Sequence, residues 1–130
     1  MRVLVACEYS GVVRDAFIAQ GHDAMSCDLL ATDKSGPHHT GDVFDLPLHK
    51  FDLLIGHPPC TFLSNSGVCH LHTDAKRWPK VFEAAAFFKR LLNAPVERIA
   101  IENPVMHGYA KTLIGGVKQS QTVQPWWFGH

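Results

Sequence analysis

Short apolar runs bounded by polar, glycine or proline residues recur along the chain and predict buried β-strands. They occupy residues 2–7, 22–27, 53–55 and 96–101. Their length and apolar character are typical of interior strands of a parallel sheet. A further strand is predicted at 121–124.

Segments with helical periodicity separate the runs. The clearest spans 79–93, where Val81, Ala85, Phe88 and Leu92 recur at helical spacing and define a core-facing stripe. Shorter helices are predicted at 12–20 and 109–114. Strands that alternate with helices predict an α/β fold, a Rossmann-like and mostly parallel sheet flanked by helices.

Three connecting segments are expected to be irregular. Residues 29–40 are polar and contain Gly36-Pro37, so they are predicted to form a loop. Residues 41–45 are expected to hold a short strand or a turn. Residues 61–72 have the composition of a flexible loop that faces substrate.

Length and charge limit the classes of protein to which the chain could belong. The 130 residues predict one domain, and 46% hydrophobic and 18% charged residues are globular values. Twelve basic and twelve acidic residues give a formal charge of zero, which excludes nucleic-acid binding through bulk charge alone but leaves room for a local basic face.

The four cysteines form no Cys-x-x-Cys pair. With neither a signal peptide nor an apolar run of membrane-spanning length, the sequence predicts a cytoplasmic protein with reduced thiols and no membrane contact. His38-His39 and Cys69-His70-Leu71-His72 lack a second ligand pair at zinc-site spacing, so no metal is expected.

The stretch that ends in Pro58-Pro59-Cys60 is the strongest candidate for chemistry. The two prolines must end the preceding strand, which leaves Cys60 just past its carboxyl end. Ligands bind at that edge of open α/β sheets, so a thiol held there suits a nucleophile. The alternative is that Cys60 is an ordinary buried apolar residue.

A second candidate site lies at the first two predicted strand ends. Glu8, Tyr9, Ser10 and Gly11 form a small-residue turn after the first strand, and Asp28 follows the second. Such a turn admits a ligand to the backbone, and the acid accepts hydrogen bonds from ribose hydroxyls. Because Gly-x-Gly-x-x-Gly is absent, NAD is not expected, and an ordinary strand–helix turn remains the alternative.

Glu102-Asn103 follows the strand predicted at 96–101 and would place a carboxylate beside the strand end that carries Cys60. The alternative for Glu102 is a surface acid in a loop. Asp42 is expected near a third strand end, within reach of the amino group of a base.

With these motifs in order, the chain resembles the DNA cytosine-5 methyltransferases, a class I S-adenosylmethionine-dependent family. The resemblance covers residues 2–106 and rests mainly on His57-Pro58-Pro59-Cys60 and on Glu102-Asn103-Pro104-Val105. It implies a class I methyltransferase fold that lacks its last strands, a flipped cytosine in DNA as the substrate and S-adenosylmethionine as the cofactor.

The resemblance also implies roles for individual residues. Cys60 would attack cytosine C6, Glu102 would hold the base at N3 and its amino group, and Asn103 would orient the loop. The residues implied to bind the cofactor are Glu8, Tyr9, Ser10, Gly11, Asp28, Asp42 and Pro58.

The chain departs from the family pattern at several points. The first turn is poorer in glycine, Pro104 follows Asn103 where the family has valine, and residues 119–126 contain no arginine. No segment is long enough for a target-recognition domain. The expectation is therefore a single catalytic-type domain over residues 1–130, either a minimal phage-like relative, then located in host cytoplasm, or a fragment.

Three other functions stay open. Amino-methyltransferases carry Asn or Asp before the Pro-Pro pair and an aromatic residue after it, where this chain has His57 and Cys60. A different C5 modification of a pyrimidine would use Cys60 equally well. The third is a degenerate methyltransferase fold that binds nucleotide, DNA or a partner protein without catalysis.

Overall fold

Five parallel strands form the centre of the molecule. The structure is a computed structural model and describes residues 1–129. Its strands are β1 (Arg2–Ala6), β2 (Asp23–Asp28), β3 (His38–Thr40), β4 (Leu53–Gly56) and β5 (Arg98–Ile101). They lie in the order β3-β2-β1-β4-β5, and every neighbouring pair is parallel. The predicted α/β arrangement is confirmed.

Three helices cover the sheet. They are α1 (Val12–Ala19), α2 (Arg77–Leu92) and α3 (Gly108–Leu113). Each was predicted, although α2 begins two residues before the predicted Pro79. Single turns of 3₁₀ helix occupy Val43–Asp45, Leu48–Lys50 and Pro125–Phe128, and a longer one occupies Asn65–Leu71. Among residues 1–129, no helix is long and apolar enough to cross a membrane.

Three sequence-based predictions were wrong. The predicted loop 29–40 ends in strand β3, which lacks an apolar signal because it is an edge strand held to β2 by backbone pairing. The predicted strand 121–124 is exposed and unpaired, and an apolar residue such as Val123 makes no strand without a partner. The expected loop 61–72 is mostly the 3₁₀ helix Asn65–Leu71.

The core lies on both faces of the sheet because alternate strand residues point to opposite faces. On one face, Val3 and Val5 pack with Val13 and Phe17 of α1. On the other, Leu4 and Leu54 pack with Leu91 of α2, and all three are fully buried. Two layers of helix therefore hold the strands, and hence the strand ends, in a fixed register.

A buried arginine fastens the loop between β2 and β3 to α1. The Arg14 side chain is fully buried. Its Nε donates to Asp15 Oδ1 at 2.8 Å, Nη1 to Ser26 Oγ at 3.2 Å, and Nη2 to the Lys34 carbonyl at 3.2 Å. A Cβ on Gly11 would lie 2.4 Å from Arg14 Nη2, and one on Gly36 would lie 2.7 Å from Arg14 Cζ. The guanidinium thus fills the space that both glycines leave.

Arg14→Ala should lower the free energy of unfolding by about 3 kcal/mol, because buried acceptors that the guanidinium satisfies would lose their donor. Urea denaturation followed by circular dichroism measures this. Arg98→Ala is the control, since that side chain is 56% exposed and bonded to exposed Glu97, and it should cost less than about 0.5 kcal/mol. Equal losses in the two variants would contradict the role given to Arg14.

Candidate functional site

The carboxyl ends of four strands form one row. Ala6 of β1 stands opposite Cys27 of β2 and Gly56 of β4, and Gly56 stands opposite Ile101 of β5. The residues that follow these positions therefore lie side by side, and they are Cys7, Asp28, His57 and Glu102. Because the strand order reverses between β1 and β4, this is the edge where open α/β sheets form a ligand crevice.

The Pro-Pro-Cys loop begins directly at this row. The His57 backbone N–H donates to the Ala6 carbonyl at 3.0 Å, which extends the sheet by one residue. Pro58 is buried, and Cys60 is partly exposed. The Cys60 carbonyl accepts from the N–H groups of Leu63 at 3.0 Å and Ser64 at 2.9 Å. Cys60 thus starts a hydrogen-bonded turn, as a positioned nucleophile requires.

The loop after β5 is fastened to the loop that carries Cys60. The Asn65 N–H donates to the Val105 carbonyl at 2.7 Å, and the His107 N–H donates to the Leu63 carbonyl at 3.1 Å. Ser64 and Met106 form an antiparallel bridge. The segments that hold Cys60 and Glu102-Asn103 are therefore joined by backbone hydrogen bonds.

His107 completes this connection, and the sequence analysis did not identify it. The side chain is buried, its Nδ1 accepts from the Ala110 N–H at 3.1 Å, and its Nε2 lies 2.8 Å from the Phe62 carbonyl. Nε2 must therefore carry the proton and donate it. Histidine caps α3 here, where serine, threonine or aspartate would have been the recognisable signal.

Glu102 and His57 face each other across the row. Glu102 Oε2 lies 3.9 Å from His57 Nδ1, and the two side chains are 67% and 34% exposed. At that exposure their attraction is worth no more than about 1 kcal/mol, and a bound molecule that excluded water would strengthen it.

Two buried polar atoms beside this pair have no hydrogen-bond partner within residues 1–129. They are His57 Nε2 and Asn103 Oδ1. Asn103 Nδ2 donates to the Pro104 carbonyl at 2.7 Å, which holds the amide in place. Buried polar atoms are rarely left without a partner, so these two mark a place where a ligand could supply hydrogen bonds that the protein does not.

The turn after β1 is built differently from its sequence-based interpretation. The Glu8 carboxylate is buried and accepts from the N–H groups of Val13 at 2.6 Å and Arg14 at 3.2 Å, so it neutralises the amino end of α1. Ser10 Oγ donates to the same carboxylate at 3.2 Å. Gly11 makes room for Arg14, and Tyr9 is exposed. Glu8, Ser10 and Gly11 therefore have structural roles, and their contact with a cofactor stays a prediction.

The two predicted ligand-binding acids come together beyond β2 and β3. Asp28 Oδ1 accepts from the Leu30 N–H and Asp42 Oδ1 from the Phe44 N–H, each at 2.9 Å. These contacts leave the second oxygen of each carboxylate without a protein partner among the described residues. Free carboxylate oxygens on neighbouring strand ends can accept hydrogen bonds from a diol and an amino group, groups that a nucleoside carries.

Asp28 and Asp42 also affect the pKa values of two nearby thiols, those of Cys7 and Cys27. Burial, assisted by the charge of Asp28, raises the pKa of Cys7 to about 12 and that of Cys27 to about 11. Both thiols are therefore protonated at neutral pH and are poor nucleophiles. All four cysteines are free: Cys69 is exposed, Cys7 and Cys60 are partly exposed, and Cys27 is buried.

The histidine segments considered as metal ligands, residues 38–39 and 69–72, are not grouped as a metal site within residues 1–129. His38 is engaged by Ser26 Oγ at 2.8 Å and by the Leu30 carbonyl at 3.0 Å. Within residues 1–129, no group of three or more His, Cys, Asp or Glu side chains is arranged to hold a metal ion.

Comparisons of this chain with protein-family models, with curated proteins and with solved structures gave no match.

Native protein treated with iodoacetamide at about pH 8 should be alkylated at Cys60 and Cys69 well before Cys7 and Cys27. A pKa of about 11 leaves only about one Cys27 thiol in a thousand ionised at that pH. Peptide mass spectrometry over time measures each site, and all four should react once urea unfolds the chain. Alkylation of Cys7 or Cys27 as fast as Cys69 in the native protein would contradict the burial described here.

Proposed function

We propose that the chain transfers a methyl group from S-adenosylmethionine to C5 of cytosine in DNA, as a relative of the DNA cytosine-5 methyltransferases. One observation carries the proposal: Cys60 and Glu102-Asn103 follow adjacent parallel strands, and backbone hydrogen bonds join their two loops. That is the relation the family resemblance requires between its nucleophile and its base-binding acid.

The strand order supports the fold assignment that goes with it. The order β3-β2-β1-β4-β5, with all strands parallel, is the order of the first five strands of Rossmann-like sheets. We take the fold to be that of a class I methyltransferase without its last strands. The cofactor would lie over the ends of β1, β2 and β4.

The residues at those strand ends would bind different parts of the cofactor. Asp28 would accept from the ribose hydroxyls, Asp42 from the adenine amino group, and buried Pro58 would pack against the cofactor. When bound, S-adenosylmethionine supplies an electrophilic methyl group. The turn Glu8–Gly11 would contribute backbone contacts, because the Glu8 carboxylate is engaged by α1.

Catalysis would depend on addition of a thiolate to the base. The Cys60 thiolate forms a bond from Sγ to C6, and Glu102 donates a proton to N3, so that C5 becomes enamine-like and nucleophilic. After C5 gains the methyl group and S-adenosylhomocysteine is left, the C5 proton is lost to solvent, the Sγ–C6 bond breaks and the N3 proton returns to Glu102. These steps restore the thiolate, the acid and the aromatic base. The cytosine must leave the duplex to reach this row of residues.

His57 and Asn103 would support Glu102. His57 Nδ1, 3.9 Å from Glu102 Oε2, would exchange a proton with the Glu102 carboxyl group. Asn103 Oδ1 is buried and has no hydrogen-bond partner within the described chain. It would accept a hydrogen bond from the base or from the loop that carries Cys60.

A non-catalytic binding module is the second candidate, and the turn after β1 favours it. In that turn Glu8 and Gly11 are occupied by α1 and Arg14, which leaves fewer groups for a cofactor. Retention of Cys60 and Glu102 at adjacent strand ends favours the enzyme.

The test is methyl transfer from labelled S-adenosylmethionine to mixed-sequence DNA, with the product nucleoside identified by mass spectrometry. We expect label in 5-methylcytosine. Cys60→Ser should lower the rate at least about a thousandfold because the nucleophile is lost, and Glu102→Gln at least about a hundredfold.

Cys69→Ser is the matched control, since Cys69 is an exposed cysteine outside the row of strand ends, and it should leave the rate unchanged. Label in an amino-methylated base, or full activity of Cys60→Ser, would overturn cytosine-5 chemistry. Absence of label with intact cofactor affinity would favour the binding module.

A further inference from the structure

A line of aromatic rings crosses the outer surface where α2 meets α3. Trp78 lies 5.1 Å from Tyr109 and 6.3 Å from Phe82, measured between ring centroids, and Tyr109 lies 6.2 Å from His72. Phe82 is 53% exposed and Tyr109 is 44% exposed. These four residues, with the lysines described next, are here named the aromatic–basic surface.

Positive charge surrounds these rings although the chain as a whole is neutral. Residues 70–83 contain three cations, Lys76, Arg77 and Lys80, and two acids, Asp74 and Glu83. Lys111 of α3 follows Tyr109 by two residues, and Lys76, Lys80 and Lys111 are all exposed. The basic residues are therefore concentrated beside the exposed rings.

Exposed rings with flanking lysines fit one kind of partner better than others. Unpaired bases stack on aromatic side chains, and their phosphates are neutralised by nearby cations. Bases inside a duplex are already stacked on each other and present only their edges, so a duplex would leave the exposed rings of Phe82 and Tyr109 unused. Charge complementarity and ring exposure together favour a single strand.

The aromatic–basic surface also connects to the Cys60 loop. Arg77 Cζ lies 4.8 Å from the centroid of the Phe62 ring and Lys80 Nζ lies 5.5 Å from it, so these two cations in the first turn of α2 face a residue two positions after Cys60. An open cavity of about 530 Å³ lies there, lined by Pro59, Phe62, Lys80 and Phe87 among others.

We propose that the aromatic–basic surface binds a single-stranded segment of nucleic acid, with bases stacked on Tyr109, Trp78 and Phe82 and phosphates on Lys76, Lys80 and Lys111. The strand then passes Arg77 and Phe62 toward Cys60. The link to a target base at Cys60 rests on the proposed function, whereas the binding itself requires neither cofactor nor catalysis.

Fluorescence anisotropy without cofactor tests the proposal, with a labelled mixed-sequence DNA strand of about 12 nucleotides and its duplex as probes. The single strand should bind at least about tenfold more tightly than the duplex. Tyr109→Ala should weaken single-strand binding about tenfold, since one stacking partner is lost. Trp126→Ala replaces an exposed tryptophan outside the surface and should leave binding unchanged.

A charge variant keeps the test valid if the aromatic variant folds poorly. Lys76→Gln with Lys111→Gln should reduce the slope of log affinity against log salt by about 1.4, because each lost phosphate contact on a single strand removes about 0.7. Lys34→Gln, on the loop between β2 and β3, is the control and should keep the slope.

Equal affinity for strand and duplex, or normal binding by both the Tyr109→Ala and the double lysine variants, would overturn the proposal. So would losses of the same size in the Trp126→Ala control. Binding that follows these expectations in a protein without methyl transfer would count against the proposed function alone. Methyl transfer that persists without single-strand preference would count against this surface alone.

Discussion

Backbone pairing of parallel strands is the constraint on which the site depends. Because Ala6, Cys27, Gly56 and Ile101 are in register, the next residue of each strand enters the same row. Four chemically different side chains are therefore brought together by the sheet itself and not by a separate loop. A shift of one residue in β4 would exchange His57 for Gly56 in that row and move Cys60 with it. The buried leucines beneath the strands hold this register, so core packing on both faces is what positions the polar groups.

Different hydrogen bonds stabilise the two halves of the sheet edge. On the β4–β5 side, hydrogen bonds from Asn65 and His107 join the Cys60 loop to the Glu102 loop, and the cap of α3 is part of that connection. On the β1–β2 side, Arg14 fixes the loop before β3, and Glu8 fixes the start of α1. Cys60 and Glu102, the proposed nucleophile and base-binding acid, therefore share one support, while Asp28 and Asp42, the proposed cofactor-binding acids, lie on the other side.

The sequence predicted the strands of the core well because β1, β4 and β5 are apolar runs, followed by Cys7, His57 and Glu102. It also predicted that Cys60 and Glu102 would follow neighbouring strands. It could not predict β3, since His38–Thr40 is polar and owes its strand to pairing with β2. Nor could it predict Arg14 or His107, because a basic residue in a helix and a histidine before one carry no local sign of burial. The sequence likewise carries no sign that the small size of Gly11 leaves room for the Arg14 side chain and not only for a ligand.

The central claim is that the row of strand ends, which includes Asp28, forms with Asp42 a nucleoside-binding edge beside the proposed nucleophile Cys60. The most direct measurement is an amide NMR titration of nitrogen-labelled protein with S-adenosylhomocysteine up to about 1 mM. The account predicts saturable shifts at residues 7–11, at Asp28, at Asp42 and at His57, with little change in α3. Shifts confined to the cavity beside Phe62, or none at any residue, would contradict it.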